Sequence, residues 1–165
     1  MKLYTWYYDS PLGRITLESD GTSLSGLRFD GQNRFGAGGP VTGSSLPVFE
    51  ETCRWLDSYF RGEIPDFSPA LALYGSDFQQ TVWKILLEIP YGQTVTYGWI
   101  AGRLAAERAS GRMSAQAVGG AVGRNPVALI VPCHRVVGAG GRLTGYAAGL
   151  DRKAWLLAHE QAIRS

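Results

Sequence analysis

The chain has 165 residues, 45% of them hydrophobic and 18% charged, with a formal net charge of +2. A chain of this size buries about 70% of its unfolded surface, enough for one sizeable core or two small lobes. No apolar run approaches the ~20 residues that span a bilayer, and the opening MKLYTWYYDS lacks the apolar stretch of a secretory leader. Two distant cysteines, Cys53 and Cys133, make neither a disulfide framework nor a zinc set, so a reduced, cytoplasmic protein without a bound metal or cofactor is expected. Residues 1–75 carry six Lys+Arg against nine Asp+Glu, and residues 76–165 carry ten against five. Polyanion binding is thereby assigned to the second part, although a mildly basic solvated surface gives the same count.

The first third reads as β structure with one helix. KLYTWYYD is aromatic and strand-like, and SPLG (Ser10–Gly13) is a turn. RITLES alternates Ile15 and Leu17 on one face, and Asp20-Gly21 turns the chain into LSGLRF. The glycine-rich stretch Gly31–Ser45 reads as a loop. Pro47–Arg61 then places Phe49, Cys53, Leu56 and Phe60 at helical spacing, which puts Cys53 on the buried face as a small hydrophobe. Gly62–Gly75, with Pro65 and Pro69, reads as a connector to a second lobe.

That lobe reads as mainly helical. Ser76 and Gln79 have capping-box spacing ahead of an apolar stripe of Phe78, Val82, Ile85, Leu86 and Ile89, and PYGQ (Pro90–Gln93) ends the helix. Thr96 caps a second helix containing Tyr97, Ile100, Ala101 and Leu104. After the polar Ala106–Met113, Ser114 caps a short third helix over Ala115–Gly123. This is the outline of a helix-turn-helix in a basic lobe. Gly119 and Gly120 weaken an isolated helix but admit another backbone, either a neighbouring helix or a groove-bound ligand. NPVALIV reads as a buried strand, GAGGRLTGYAAG (Gly138–Gly149) as a glycine-rich loop, and about Asp151–Ile163 as a final helix. The loop has no phosphate-cradling glycine pattern.

The chemistry concentrates in IVPCHRVVG (Ile130–Gly138). A cysteine becomes a nucleophile as its thiolate, and a nearby imidazole or cation assists that step. In an extended strand Cys133 and His134 point to opposite faces, so they cooperate only across a turn or through a water. His134 needs a partner to fix its tautomer; Glu160 is one candidate, and Asp151 is better used as the N-cap of the last helix. On these grounds alone Cys133 is either a structural thiol or a nucleophile, and Arg135 either packs or binds phosphate.

Pro132-Cys133-His134-Arg135-Val136 resembles the active-site signature of the O6-alkylguanine-DNA alkyltransferases, the methylated-DNA–protein-cysteine methyltransferases. FQQTVWKILLEIPYGQTVTYGWIA (Phe78–Ala101), AVGGAVGRNPVALIVPCHRVVGAGGRLTGYAAGL (Ala117–Leu150) and KAWLLAHE (Lys153–Glu160) resemble family segments in family order. The resemblance implies an α+β protein. Residues 1–75 would form a small RNase H-like supporting lobe, an antiparallel sheet plus a helix. Residues 76–165 would form a mainly helical lobe with a winged-helix-like helix-turn-helix.

It further implies that Cys133 takes the alkyl group from guanine O6 once and irreversibly, with O4-alkylthymine as a candidate second substrate. His134 would activate the thiol through water, and Glu160 would orient His134. Asn125 would hold the turn around the site. Tyr97, Val136, Tyr146 and Ala147 would contact the flipped base. Gln116, Ala117, Gly119, Gly120, Arg124 and Arg135 would contact double-stranded DNA from its minor groove, with the protein acting as a monomer. Gln116 stands where the family usually has an arginine, and Arg108 or Arg112 are candidates to supply the missing charge. Trp99 replaces a frequent helix-capping glutamate, and Ala147 and Ala148 replace commoner Ser/Gly. The competing expectation is a lesion sensor that binds damaged guanine without transfer; relatives of that kind lack the cysteine.

Overall fold

The structure, a computed structural model, describes residues 3–31, 45–107 and 113–164. Three strands, β1 (Tyr4–Ser10), β2 (Gly13–Ser19) and β3 (Leu24–Phe29), form an antiparallel meander in the order β1-β2-β3. Alternation along β2 buries Ile15 and Leu17 on the face that helix α1 (Pro47–Phe60) covers. The α1 stripe differs from the expected one. Phe49 and Leu56 are buried, but the helix also buries Val48, Thr52, Trp55 and Tyr59, whereas Cys53 and Phe60 sit half-buried at the rim. The expected loop at Gly31–Ser45 lies almost wholly outside the described residues. The 62–75 connector runs beside β3, where Leu24 donates to the Ala70 carbonyl at 2.7 Å and Ala72 donates back to Leu24 at 2.9 Å.

Helix α2 (Asp77–Leu86) starts at the expected capping box, with Ser76 and Gln79 each accepting from the other's backbone amide. It ends before Ile89. Trp83, off the predicted stripe, is buried and donates its indole N–H to the Ala121 carbonyl at 2.8 Å. Gly75 makes room for that ring: a Cβ there would lie 2.4 Å from it. Two-residue strand β4 (Val95–Thr96) leads into α3 (Tyr97–Glu107), whose Trp99 amide donates to Thr96 Oγ1 at 2.9 Å. Helix α4 (Ala115–Gly123) begins at Ser114, which accepts from the Ala117 amide at 3.0 Å. Strand β5 (Val136–Val137) pairs parallel with β4, and α5 (Leu150–Arg164) closes the fold. Asp151 falls inside the first turn of α5, so it is not the N-cap expected.

One continuous hydrophobic cluster joins the sheet, α1 and the C-terminal helices. Leu27 on β3 bridges Val127, donating to Pro126 O at 2.9 Å and accepting from Ala128 at 3.0 Å. Among the described residues no helix is long and apolar enough to cross a membrane.

Candidate active site

The segment expected to be a strand, Asn125–Val131, is instead a run of tight turns buried from Val127 to Val131. Ile130 donates to Ala128 O at 2.8 Å, Val131 to Val127 O at 3.1 Å, and Leu129 adopts a left-handed φ of 74°. Asn125 explains how an aliphatic run of this kind avoids a sheet. Its buried side chain donates to Val131 O at 2.8 Å and accepts from the Val127 amide at 3.0 Å, satisfying backbone groups that a ladder would otherwise pair.

The turn hands the chain to a single 3₁₀ turn, Cys133–Arg135, with the Cys133 amide bonded to Val131 O at 2.8 Å. Successive side chains of such a turn diverge by about 120°, so Cys133 and His134 face different surroundings although adjacent. Burial pushes the Cys133 thiol above its ordinary value, against the opposite pull of Asn125, Lys153 and Tyr146. The resting thiol is therefore protonated and needs a base.

His134 is fully buried and meets Glu160 through Nε2 at 2.6 Å. Burial favours the protonated acid of Glu160, but hydrogen bonds from His134 and Arg135, together with the guanidinium's charge, overcome it and hold the carboxyl down at about 2. An ionised Glu160 accepts only, so Nε2 of the neutral imidazole carries the proton and Nδ1 is the acceptor. Among the described residues Nδ1 is buried without a hydrogen-bond partner. Burial also lowers the imidazole's proton affinity, partly offset by Glu160.

Of the two readings of Arg135 the structure agrees with packing, against the DNA contact that the resemblance implied. The side chain is buried rather than turned to a DNA face: Nε and Nη2 grip Glu160 at 2.7 and 3.1 Å, and Nη1 donates to Ile89 O at 2.6 Å. Its guanidinium lies 4.4 Å from the Tyr91 ring centroid.

Lys153, singled out by nothing in the sequence beyond its segment, is buried beside the thiol. Its Nζ donates to the carbonyls of Thr144 at 2.8 Å and Gly145 at 3.2 Å, and no carboxylate pairs with it among the described residues. Burial lowers the ammonium's proton affinity, and Cys133 acts in the opposite direction. The Tyr146 hydroxyl is buried near Cys133, and burial together with that thiol keeps it strongly protonated. Tyr97 donates to Thr144 O at 3.3 Å, and its ring lies 3.9 Å from where a Cβ on Gly119 would be. The Gly138–Gly149 loop is thus tied to both Tyr97 and Lys153. Ala147 is exposed, Ala148 buried, and Val136 buried with its amide bonded to Cys133 O.

On α4, Val118, Ala121 and Val122 point inward, while Gln116, Ala117, Gly120 and Gly123 are exposed, followed by exposed Arg124. A Cβ on Gly120 or Gly123 would meet nothing within 4 Å. Close internal packing therefore does not require these two glycines. Arg108 and Arg112 lie outside the described residues. Among the described residues no cluster of three or more His, Cys, Asp or Glu could hold a metal ion.

Residues 77–162 match the 6-O-methylguanine DNA methyltransferase DNA-binding domain, and residues 3–73 match the ribonuclease-like domain of the same enzyme family. The chain is 46% identical over 157 residues to the methylated-DNA–protein-cysteine methyltransferase of Mycobacterium tuberculosis H37Rv, covering 93% of this chain and 90% of that protein. It is 44% identical over 156 residues to the enzyme of the same name from Methanosarcina acetivorans, covering 94% of this chain and 96% of that one. The crystal structure of Mycobacterium tuberculosis OGT in complex with DNA superposes with a TM-score of 0.84 at 44% identity, over 99% of this chain and 94% of the other. With both halves of its length matched in order around this buried Cys-His-Glu arrangement, the chain belongs to the 6-O-methylguanine DNA methyltransferase family.

Proposed function

We propose that this protein repairs DNA by direct reversal, moving the alkyl group of O6-alkylguanine irreversibly onto its own Cys133. The observation that carries this reading is the protonated, buried thiol beside an imidazole whose outer nitrogen is fixed by an ionised carboxylate and whose Nδ1 is left to accept a proton. His134 takes the thiol proton through an intervening water, and Glu160 holds His134 and stabilises its cationic form. The thiolate then attacks the alkyl carbon. The S–C bond forms as the O6–C bond breaks, its electron pair passes to O6, and protonation of the ring restores guanine. The product thioether has no leaving group to regenerate the thiol, so each molecule acts once.

The target atom lies inside the duplex, so the nucleotide is rotated out at a cost of about a few kcal/mol. Residues 76–165 bind DNA and transfer the alkyl group, and residues 1–75 support them. The exposed Gln116, Ala117 and Gly120 edge of α4, with Arg124 just past its end, enters the minor groove, where the missing Cβ of Gly120 lets the backbone approach. Tyr97, half-buried between Gly119 and the Thr144 carbonyl, faces the extruded base. Tyr146 lines the pocket floor by the thiol. Ala147 offers only a backbone amide to O6, and Cys133 and Val136 offer only backbone groups to the guanine edge. The protein works as a cytoplasmic monomer, without metal or cofactor.

The test is the intact mass after mixing with an O6-methylguanine duplex, followed by mapping of the Cys133 peptide. One added methylene on that peptide is expected. Tight binding with unchanged mass would instead identify a lesion sensor.

A further inference from the structure

We propose that Tyr59, a residue of the N-terminal lobe, is a positioning residue of the transfer site: its hydroxyl donates to the Glu160 oxygen that also receives His134 Nε2, and so sets how tightly His134 holds its proton. The proposal rests on the alkyl-transfer reading above. Tyr59 is fully buried on α1, and its hydroxyl lies 2.7 Å from Glu160 Oε2, against 2.6 Å for His134 Nε2 on the same oxygen. The tyrosine is pinned to α5 twice over, because His159 Nε2 also meets the Tyr59 carbonyl at 2.6 Å. Its ring stacks on Trp55 with centroids 5.4 Å apart and planes 8° from parallel. The hydroxyl is therefore aimed at the carboxylate by packing and backbone together.

Donors surround this carboxylate. Arg135 Nε and the Gly92 amide, the latter at 3.5 Å, donate to Oε1, and Tyr59, His134 and Arg135 Nη2 share Oε2. The charged or titratable groups facing the Glu160–His134 pair are Arg135 on the same turn, Lys153 on α5, Tyr91 in the segment after α2, Tyr146 in the loop before α5, Cys133, and Tyr59 on α1. Of these only Tyr59 comes from the N-terminal lobe. Each neutral donor spreads the carboxylate's negative charge and weakens its attraction for an imidazolium. Removing the Tyr59 hydroxyl concentrates charge on Oε2, so His134 binds its proton more tightly.

The test is the pH profile of single-turnover transfer from an O6-methylguanine duplex. Neutral His134 is the proton acceptor, so its protonation sets the acid limb. Tyr59→Phe is expected to move that limb to higher pH by about half a unit, with duplex affinity within about twofold of wild type. Replacing Tyr59 by 3,5-difluorotyrosine, a stronger donor of the same shape, is expected to move it to lower pH. A structural hydroxyl would change the melting temperature but leave the limb in place, and an unmoved limb in both proteins overturns the proposal. If Tyr59→Phe does not fold, the difluorotyrosine protein carries the test alone. Failure of the wild type to gain a methyl group on Cys133 would instead overturn the transfer reading.

Discussion

The Asn125 side-chain amide donates to the Val131 carbonyl at 2.8 Å, closing a buried turn that continues into Pro132 and Cys133. Within it Leu129 holds a φ of 74°, a conformation that costs a non-glycine residue about 1–2 kcal/mol and persists only where its surroundings enforce it. Asn125→Ala leaves the Val127 amide unpaired in the core, at about 1–3 kcal/mol, and leaves the Val131 carbonyl to the Cys133 amide alone. The variant should melt several degrees below wild type and transfer more slowly at saturating DNA. An unchanged melting temperature would show that the turn holds itself.

Glu160 should leave a signature in acid stability. Its folded proton affinity is depressed, so the unfolded chain binds more protons between the ordinary carboxylate value of 4.5 and about 2. Its contribution is fully present above that window and is lost as pH falls through it. Glu160→Gln removes the titration and leaves the buried Arg135 unpaired, which costs about 3–5 kcal/mol. Urea unfolding at several pH values should therefore show a weaker variant whose stability falls less steeply through this window than that of wild type. Equal slopes would place the titration elsewhere.

His134 gives a kinetic counterpart. Burial lowers its proton affinity below the ordinary 6.5, so it stays neutral where a free imidazole is already charged. Transfer should thus persist below pH 6.5 and fail only further into acid. His134→Gln should lack this limb and transfer at least about tenfold more slowly, the loss of general-base assistance. A wild-type limb centred at or above 6.5 would mean that the imidazole is solvated in the reacting complex.

Much of this arrangement was legible in the residues. The caps at Ser76, Thr96 and Ser114 form because short-range hydrogen bonds decide helix starts, and the three strands follow their alternation. The Asn125–Val131 segment was misread because a continuous aliphatic run signals burial without specifying the backbone, and one side chain decided it. The residues left Arg135 open between packing and phosphate binding, and the resemblance put it on the DNA, since neither shows a carboxylate 25 residues away. Lys153 and Tyr59 were missed for the same reason: their partners come from loops and helices that only the tertiary fold brings together.

Gly120 separates DNA contact from internal packing. Its Cβ position is empty for 4 Å around, so Gly120→Leu should fold at least as well as wild type, gaining up to about 1 kcal/mol of helix propensity. The same side chain projects from the face assigned to the minor groove. Duplex affinity should fall about tenfold or more, while the free O6-methylguanine base, which needs no groove, should react at an unchanged rate. Equal losses on both substrates would place Gly120 away from the DNA.

Arg152 offers a further link between the lobes. At the start of α5 it donates to Leu12 O at 3.1 Å, Asp30 O at 2.7 Å and Ala148 O at 3.0 Å, and its guanidinium lies 5.2 Å from the Phe29 ring centroid. One of those carbonyls belongs to the β1–β2 turn and one to the residue after β3, and the third belongs to the loop carrying Tyr146 and Ala147. A lysine has one ammonium on a flexible stem and cannot span all three, so Arg152→Lys is not a conservative change. It should cost about 1–2 kcal/mol of stability and loosen the loop locally. The Gly149 amide, which donates to Tyr146 O at 2.9 Å, should then exchange with solvent faster than amides in α4. Transfer at saturating DNA should slow about three- to tenfold, since a loosened loop no longer holds the base in line with the thiol. If Gly149 exchange stays at the wild-type rate while the protein is destabilised, Arg152 ties the lobes together without reaching the pocket.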